Sequence, residues 1–427
     1  MNFENNLAFA QELDQNDPLK DLRNEFLFPQ QHGKPFVYLC GNSLGLQPKG
    51  ARKVLEEQMW NWQNYAVEGW FEGDNPWMFY HKELKRLMAP LVGAKPAEVC
   101  PMNTLTVNLH LLMVSFYKPE KERYKIIMEA GAFPSDQYAI ESQVRFHGFD
   151  PADAIIEVAP RDGEYTLRTE DILKRIEANG NEIALVLFGG VNYFTGQWFD
   201  MKAITESGHK AGAVVGFDLA HAAGNVPVKL HDWDIDFACW CSYKYQNSGP
   251  GGISGIFVHE KHFSDSSLNR FAGWWGYQEQ QRFKMEKGFI PEAGADGWQV
   301  SCTQVMPMAL YYASLQLFEK AGFISPLRTK SETLTAYLFF VIDQVNKELN
   351  RMQYKIITPV EKADRGAQVS IIAAESGKAI FNALVANNIL GDWREPNVIR
   401  LSPVPMYNSF EDVFRSGQIL LKVTKEA

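Results

Sequence analysis

Between Tyr124 and Cys241 short apolar runs alternate with stretches of helical periodicity, and this alternation narrows the folds open to the chain. Tyr124 to Glu129, Ala154 to Val158, Ile183 to Phe188, Val214 to Phe217 and Phe237 to Cys241 read as strands. Thr169 to Asn179 and Met201 to Lys210 read as helices. The first of these has Glu170 and Asp171 in its opening turn, where the helix dipole favours acids. Strands that are apolar throughout are covered on both faces, and their alternation with helices predicts an α/β fold: a mostly parallel sheet with helices on both sides.

The flanks differ. Residues 1–35 are polar with one amphipathic piece, and Val37 to Pro48 reads as a short strand and a Gly/Asn/Ser turn. Ala51 to Tyr65 has helical spacing, with Val54, Leu55, Met59 and Trp62 on one side. A second helix is expected from Trp77 to Leu91, and a third over Leu105 to Phe116, opening at MNTLTVN. After Gly255 the alternation fades into two long helices, Thr303 to Lys320 and Leu327 to Asn350. They lead to a smaller α+β unit: strands Tyr354 to Thr358, Ala367 to Ala373 and Val398 to Leu401, and helices Lys378 to Ala386 and Phe410 to Val423. The expected division is an N-terminal arm joining the small domain (1–50), a large domain (51–310) and a small C-terminal domain (311–427).

With 427 residues, 46% of them hydrophobic, the chain can bury a large core in more than one domain. A net charge of −9 without a basic run argues against nucleic acid or an anionic membrane as partner. The first residues carry acids and no apolar stretch, unlike a signal peptide, and no apolar run approaches the roughly 20 residues of a membrane span. Five cysteines in so long a chain make no disulfide framework, so a reducing cytoplasm is expected. Cys239 and Cys241 alternate on one strand face and fit no metal pattern, and the nine histidines include no H-E-x-x-H, so no metal site is expected. The acids of HDWDID, His231 to Asp236, read as a solvated turn.

The chemistry concentrates in DFACWCSYKYQNSGPGGISG, Asp236 to Gly255. Lys244 stands between Tyr243 and Tyr245 after an apolar strand, and a lysine shielded from water has a lowered pKa suited to a nucleophile, base or Schiff-base former. The same pattern suits a lysine whose stem lies on apolar surface with its head in water. Upstream, VVGFDLAHAAGN places Asp218 at a strand end, with His221 beyond. Asp218 alone could be an N-cap. A lysine for an aldehyde plus an aspartate for a pyridinium nitrogen is the pairing used by pyridoxal phosphate (PLP) enzymes. PLP also needs an anion site, which the helix start at Asn103–Thr106 offers, and a flat surface, for which Phe133 in AFPSD is a candidate. Gly249 to Gly255 matches neither G-x-G-x-x-G nor a P-loop. Arg400, on the last strand, is suited to gripping a carboxylate with two parallel hydrogen bonds.

The order GNSLG, AFPSD, FDLAHAAGN, CWCSYKYQNSGPGGISGIFVHEKH and IRLSPVPMYNSF resembles the kynureninases, fold-type-I PLP enzymes related to class V aminotransferases, over nearly the whole chain. The resemblance implies hydrolytic Cβ–Cγ cleavage of L-kynurenine, or its 3-hydroxy form, to anthranilate and L-alanine. That reaction belongs to tryptophan catabolism, the kynurenine pathway and NAD biosynthesis. It implies a homodimer with shared active sites. Lys244 would carry the cofactor and act as base, Asp218 would pair with the ring nitrogen, and Tyr243 would assist proton transfer. Leu105, Thr106, Phe133, Pro134, Ser135, Asp136, His221, Trp274 and Cys302 would surround the cofactor. Arg400, Trp70, Asn42, Cys302 and Thr303 would contact the substrate. Two positions depart from the pattern: Gly189 stands where some members carry Ser, and Cys302 where some carry Asn. A cysteine desulfurase, which needs a nucleophilic thiol such as Cys302, a class V aminotransferase, and a non-catalytic PLP-binding scaffold remain alternatives.

Overall fold

The computed structural model describes residues 2–426. A seven-stranded sheet forms its centre. The strands are β1 (Val99–Pro101), β2 (Lys125–Glu129), β3 (Ile155–Val158), β4 (Ile183–Gly189), β5 (Val214–Asp218), β6 (Phe237–Trp240) and β7 (Gly255–Val258). Their order across the sheet is β1-β7-β6-β5-β4-β2-β3. From β6 to β3 neighbouring strands are parallel, while β7 runs antiparallel to both β6 and β1. Both faces are covered: Ala238 and Trp240 of β6 join one core and Phe237 and Cys239 the other. This is why the strands read as unbroken apolar runs.

Of the helices around this sheet, α1 (Leu7–Gln15) belongs to the arm and α2 (Ala51–Tyr65) and α3 (Tyr80–Met88) follow it. Next come α4 (Leu105–Phe116), α5 (Pro134–Phe146), α6 (Thr169–Asn179) and α7 (Met201–Lys210). Then α8 (Val305–Lys320) packs into the large core through Leu315 and Phe318, and α9 (Ile324–Glu348) contributes Leu334, Leu338 and Val341 to the core of the small sheet. That second sheet is antiparallel, built from β8 (Tyr354–Ile356), β9 (Val369–Ala373), β10 (Asp392–Arg394) and β11 (Val398–Leu401) in the order β8-β9-β11-β10. Helices α10 (Gly377–Ala386) and α11 (Phe410–Glu426) complete this unit. The N-terminal arm ties into it: Val37–Tyr38 pairs with Ile389–Leu390, and Asp14 accepts from the backbone N–H of Phe410 and Glu411 at 2.7 and 3.0 Å, capping α11.

The apolar side of α2 divides: Val54 packs against the large core, while Met59, Trp60 and Trp62 are 50–60% exposed. Two expectations need correction. Phe133 does not sit in a simple loop but is the N-cap of α5, a helix the sequence pattern hid. Asp236 is not in a solvated turn. It is buried and accepts from His209 Nε2 and His262 Nε2, each at 2.8 Å, and from the Val215 N–H at 2.7 Å.

Candidate active site

The carboxyl ends of β2, β4 and β5 bring Glu129, Gly189 and Asp218 together, and Asp218 stands in register with Gly189. Lys244 follows β6 in a turn held by a Ser242 Oγ–Ser248 Oγ hydrogen bond of 2.6 Å and by Asn247, whose φ of 51° is left-handed. The GNSLG segment closes beneath this turn. Gly45 N–H donates to the Tyr243 carbonyl at 2.8 Å, and a Cβ on Gly45 would lie 2.4 Å from the Lys244 carbonyl oxygen, so only glycine passes there.

Lys244 Nζ lies 3.1 Å from His221 Nε2 and 5.7 Å from the centre of the Phe133 ring. Burial, and then the charge of Lys244, hold the His221 imidazole well below its usual pKa. His221 is therefore neutral, its Nε2 can accept from the ammonium, and its buried Nδ1 has no partner among the described residues. Asp218 accepts from the Ala220 N–H at 2.6 Å. Burial raises its pKa, and the Ala220 N–H, Asp136 and Lys244 oppose the rise. Burial, and then the charge of Asp218, push Asp136 well above the carboxylate range. Of this coupled pair Asp136 is pushed up the further, which makes it the hydrogen-bond donor and Asp218 the acceptor. Asp136 Oδ1 is buried without a partner.

Two helix starts meet at the rim. The N-cap of α4, Thr104, places no side-chain cap on the first turn, leaving its N–H groups free, and α5 begins with Pro134. Thr106 Oγ1 and Ser135 Oγ are 2.7 Å apart between them. Unpaired helix N–H groups with two hydroxyls form an anion site. With the lysine, the anionic aspartate, the Phe133 face and the orphaned His221 and Asp136 atoms, the residues present fit a phosphorylated pyridine aldehyde.

The residues expected from sequence fall into three groups. Lys244, Asp218, Tyr243, Leu105, Thr106, Phe133, Ser135, Asp136 and His221 border one cavity, with Pro134 exposed at its edge. Arg400 and Asn42 lie beside it. Arg400 Nη1 donates to the carbonyl of Tyr193, a wall residue, at 2.5 Å, and Arg400 Nη2 donates to Asp392 and to Ser43 Oγ. Asn42 Nδ2 donates to Gln368 Oε1 at 3.0 Å, and Gln368 Nε2 donates to the same Tyr193 carbonyl. Trp70, Trp274, Cys302 and Thr303 do not border the cavity. Trp70 packs on Trp275, and Trp274 is 45% exposed beside Trp275 and Phe283. Cys302 is exposed and Thr303 donates to Gln299. Sequence reasoning missed Glu129, Tyr193 and Cys241 as wall residues. An acid closing an otherwise apolar strand was the one available signal for Glu129.

Comparison with known proteins fits this geometry. The family model for aminotransferase class-V matches residues 54–273, and that for the kynureninase C-terminal domain matches residues 327–420. A kynureninase of Flavobacterium psychrophilum is 58% identical over 422 residues, covering 99% of both chains. One from Myxococcus xanthus is 51% identical, covering 97% of this chain and 96% of its own. One from the animal Nematostella vectensis is 50% identical, covering 95% of this chain and 91% of its own. Among solved structures, a cysteine desulfurase from Thermococcus onnurineus superposes with a TM-score of 0.74 at 17% identity, covering 98% of each chain. C-DES with glycine covalently linked to its PLP cofactor gives 0.74 at 14% identity, covering 90% of this chain and 96% of its own. The structural likenesses establish the fold of PLP-dependent enzymes, and the sequence likenesses, spanning nearly every residue, show that the chain belongs to the kynureninase family.

Proposed function

We propose that this protein is a PLP-dependent hydrolase that cleaves L-kynurenine between Cβ and Cγ, giving anthranilate and L-alanine, a step of tryptophan catabolism. The observation that carries this reading is the cavity in which Lys244, Asp218 and Phe133 converge beside Arg400, in a chain 58% identical to a kynureninase. When bound, PLP supplies an electron sink for the bonds broken at the substrate's carbon chain.

The chain's own groups divide the remaining work. Lys244 would hold the cofactor aldehyde and, once free, would move the Cα proton, with neutral His221 at 3.1 Å able to accept from it. Asp218, whose hydrogen bond and lysine neighbour oppose the rise in pKa caused by burial, would hold the proton of the ring nitrogen. The starts of α4 and α5 would hold the phosphate, and Phe133 would offer a flat surface to the ring. Arg400 binds the substrate carboxylate. Water adds to the γ-carbonyl, the Cβ–Cγ bond breaks, and anthranilate leaves before alanine. Cys241 at the cavity wall has its thiol pushed up by burial, and Cys302 does not border the cavity, so neither is presented as a desulfurase nucleophile.

The working unit we propose is a homodimer in the cytoplasm. Phe283 contacts Phe71 and Trp274, and these three with Met285 are 45–69% exposed, an apolar surface of the kind a second copy covers. Trp274 lies on it and Trp70 precedes Phe71 beside it, so a partner would bring them to the neighbouring cavity; Cys302 and Thr303 are proposed to follow. The test is direct: mix the purified protein with PLP and L-kynurenine and follow anthranilate fluorescence. Cofactor absorbance without anthranilate would refute the activity while leaving the cofactor reading intact.

A further inference from the structure

Glu129 ends β2 in the wall of the Lys244 cavity, and the chemistry above does not use it. Its side chain is nearly inaccessible, and each oxygen already accepts one protein hydrogen bond: Oε1 from the Gly189 N–H at 3.2 Å and Oε2 from Asn192 Nδ2 at 2.7 Å. Asn192 cannot turn away, because its own Oδ1 accepts from the Phe194 and Thr195 N–H groups and from the Thr195 hydroxyl. Position 189 is what makes room: a Cβ there would lie 2.7 Å from Glu129 Oε1. Asp218 at the end of β5 acts on this acid by its charge, and Asp136 on α5 and Lys244 after β6 are the other titratable groups sharing the cavity wall. Burial first, and Asp218 last, raise its pKa to about 7, against the lowering effect of Asn192 and Gly189. Near neutral pH a large fraction of the acid therefore carries a proton. Both hydrogen bonds it makes are accepted ones, so among the described residues that proton has no protein acceptor, and the open space Glu129 borders is the cavity.

We propose that Glu129 is an additional cofactor-contacting residue, whose protonated carboxyl donates a hydrogen bond to an acceptor oxygen of the bound group across the space left by Gly189. The proposal rests on the PLP reading of this cavity. Raising the pH removes the donated proton and leaves a second anion beside Asp218 and an already anionic ligand. Both changes weaken binding of the cofactor.

The test is PLP affinity, read from the visible absorbance and fluorescence of the protein stripped of cofactor and titrated with PLP between pH 6 and 8.5. The proteins compared are the wild type, Glu129→Gln, Glu129→Ala, and Glu129→Ala with Gly189→Ser. The wild type should weaken relative to Glu129→Gln as pH rises through about 7, because the amide donates but does not titrate. Glu129→Ala should bind roughly tenfold more weakly at pH 6.5, the scale of one hydrogen bond to a charged group. The added serine should restore most of that loss and show no step near pH 7. A wild-type to Glu129→Gln affinity ratio that is constant across the range overturns the proposal, as does unchanged affinity in Glu129→Ala. Glutamine keeps the shape but only one of the two acceptors, a loss that does not change with pH, so the pH dependence of the ratio stays readable even if the alanine variant folds poorly. A wild type that takes up no PLP would overturn the cofactor reading and this proposal together.

Discussion

Lys244 Nζ and His221 Nε2 meet at 3.1 Å where the loops following the neighbouring strands β6 and β5 converge. An imidazole held neutral at that distance accepts from the ammonium and aims it along the Phe133 face. Borohydride reduction of the PLP-loaded protein should therefore fix the cofactor on the peptide containing Lys244, read by mass spectrometry. A label on any other lysine contradicts the assignment.

Asp218→Asn should leave PLP bound and cripple turnover. Losing the charged partner of a buried ion pair is worth about 3–5 kcal/mol. This corresponds to roughly 100-fold or more in kcat. A near-normal kcat with the asparagine in place would refute the role given to Asp218.

Arg400 already shares its guanidinium with Asp392, Ser43 and the Tyr193 carbonyl, so the arginine is placed before any substrate arrives. Arg400→Gln should raise KM for kynurenine roughly 10- to 100-fold, from about 1.5–3 kcal/mol of charge-assisted hydrogen bonding. PLP affinity should hardly change. Steady-state kinetics beside a PLP titration separates the two, and an unchanged KM would place the carboxylate elsewhere.

The indole of Trp70 can donate but not accept, and the Cys302 thiol is a weak donor. If a partner chain brings them over the aryl ring, a ring hydroxyl finds poor company there, at about 1–3 kcal/mol. Kynurenine should then exceed 3-hydroxykynurenine in kcat/KM by roughly 5-fold or more, and a Trp70→His, Cys302→Asn double variant should narrow the gap. Equal efficiency of the wild type on both substrates would end this reading.

The last prediction concerns acid stability. Burial alone would raise the Asp236 pKa, but hydrogen bonds from His209 and His262 and the charge of Lys261 outweigh it and hold the carboxyl far below the usual range. A depressed carboxylate stabilises the fold above its unfolded pKa of about 3.9, and that stability is lost as pH falls toward the folded value. Asp236→Asn should lower Tm at pH 7, with the gap to wild type closing below about pH 4. Calorimetry across pH would show it, and a gap independent of pH would not fit.

Periodicity carried most of the fold. The ends of Ala51–Tyr65, Thr169–Asn179 and Met201–Lys210 fall where helical spacing stops. The four-residue β7 was not legible, because Gly255 to Val258 follows a Gly-rich loop and is short, and one of its two partners, β1, lies far from it in sequence. Spacing showed that Met59 and Trp62 share a side of α2; it does not say what covers that side. In the site, Lys244 and Asp218 could be read because Asp218 ends an apolar strand and Lys244 follows one. Glu129 ends one too, but its character comes from Gly189 and Asn192, which only the folded sheet brings to it. Asp236 misled for the same reason, since its two histidines lie on either side of it, 26 and 27 residues away.

Arg400 reaches Tyr193 across 207 residues, and Asn42 reaches Gln368 across 326. A chain emerging from the ribosome completes Asp218 and Lys244 before Arg400, the group proposed to fasten the substrate carboxylate, because β11 is made after both. A polypeptide that ends, or is clipped, before Val398 would still carry every cavity-lining residue named above for holding the cofactor. It would lack Arg400, the group proposed to bind the substrate carboxylate. On the proposed assignment, holding the cofactor and holding the substrate carboxylate are separable along the chain, the second depending on a strand made after all the residues of the first.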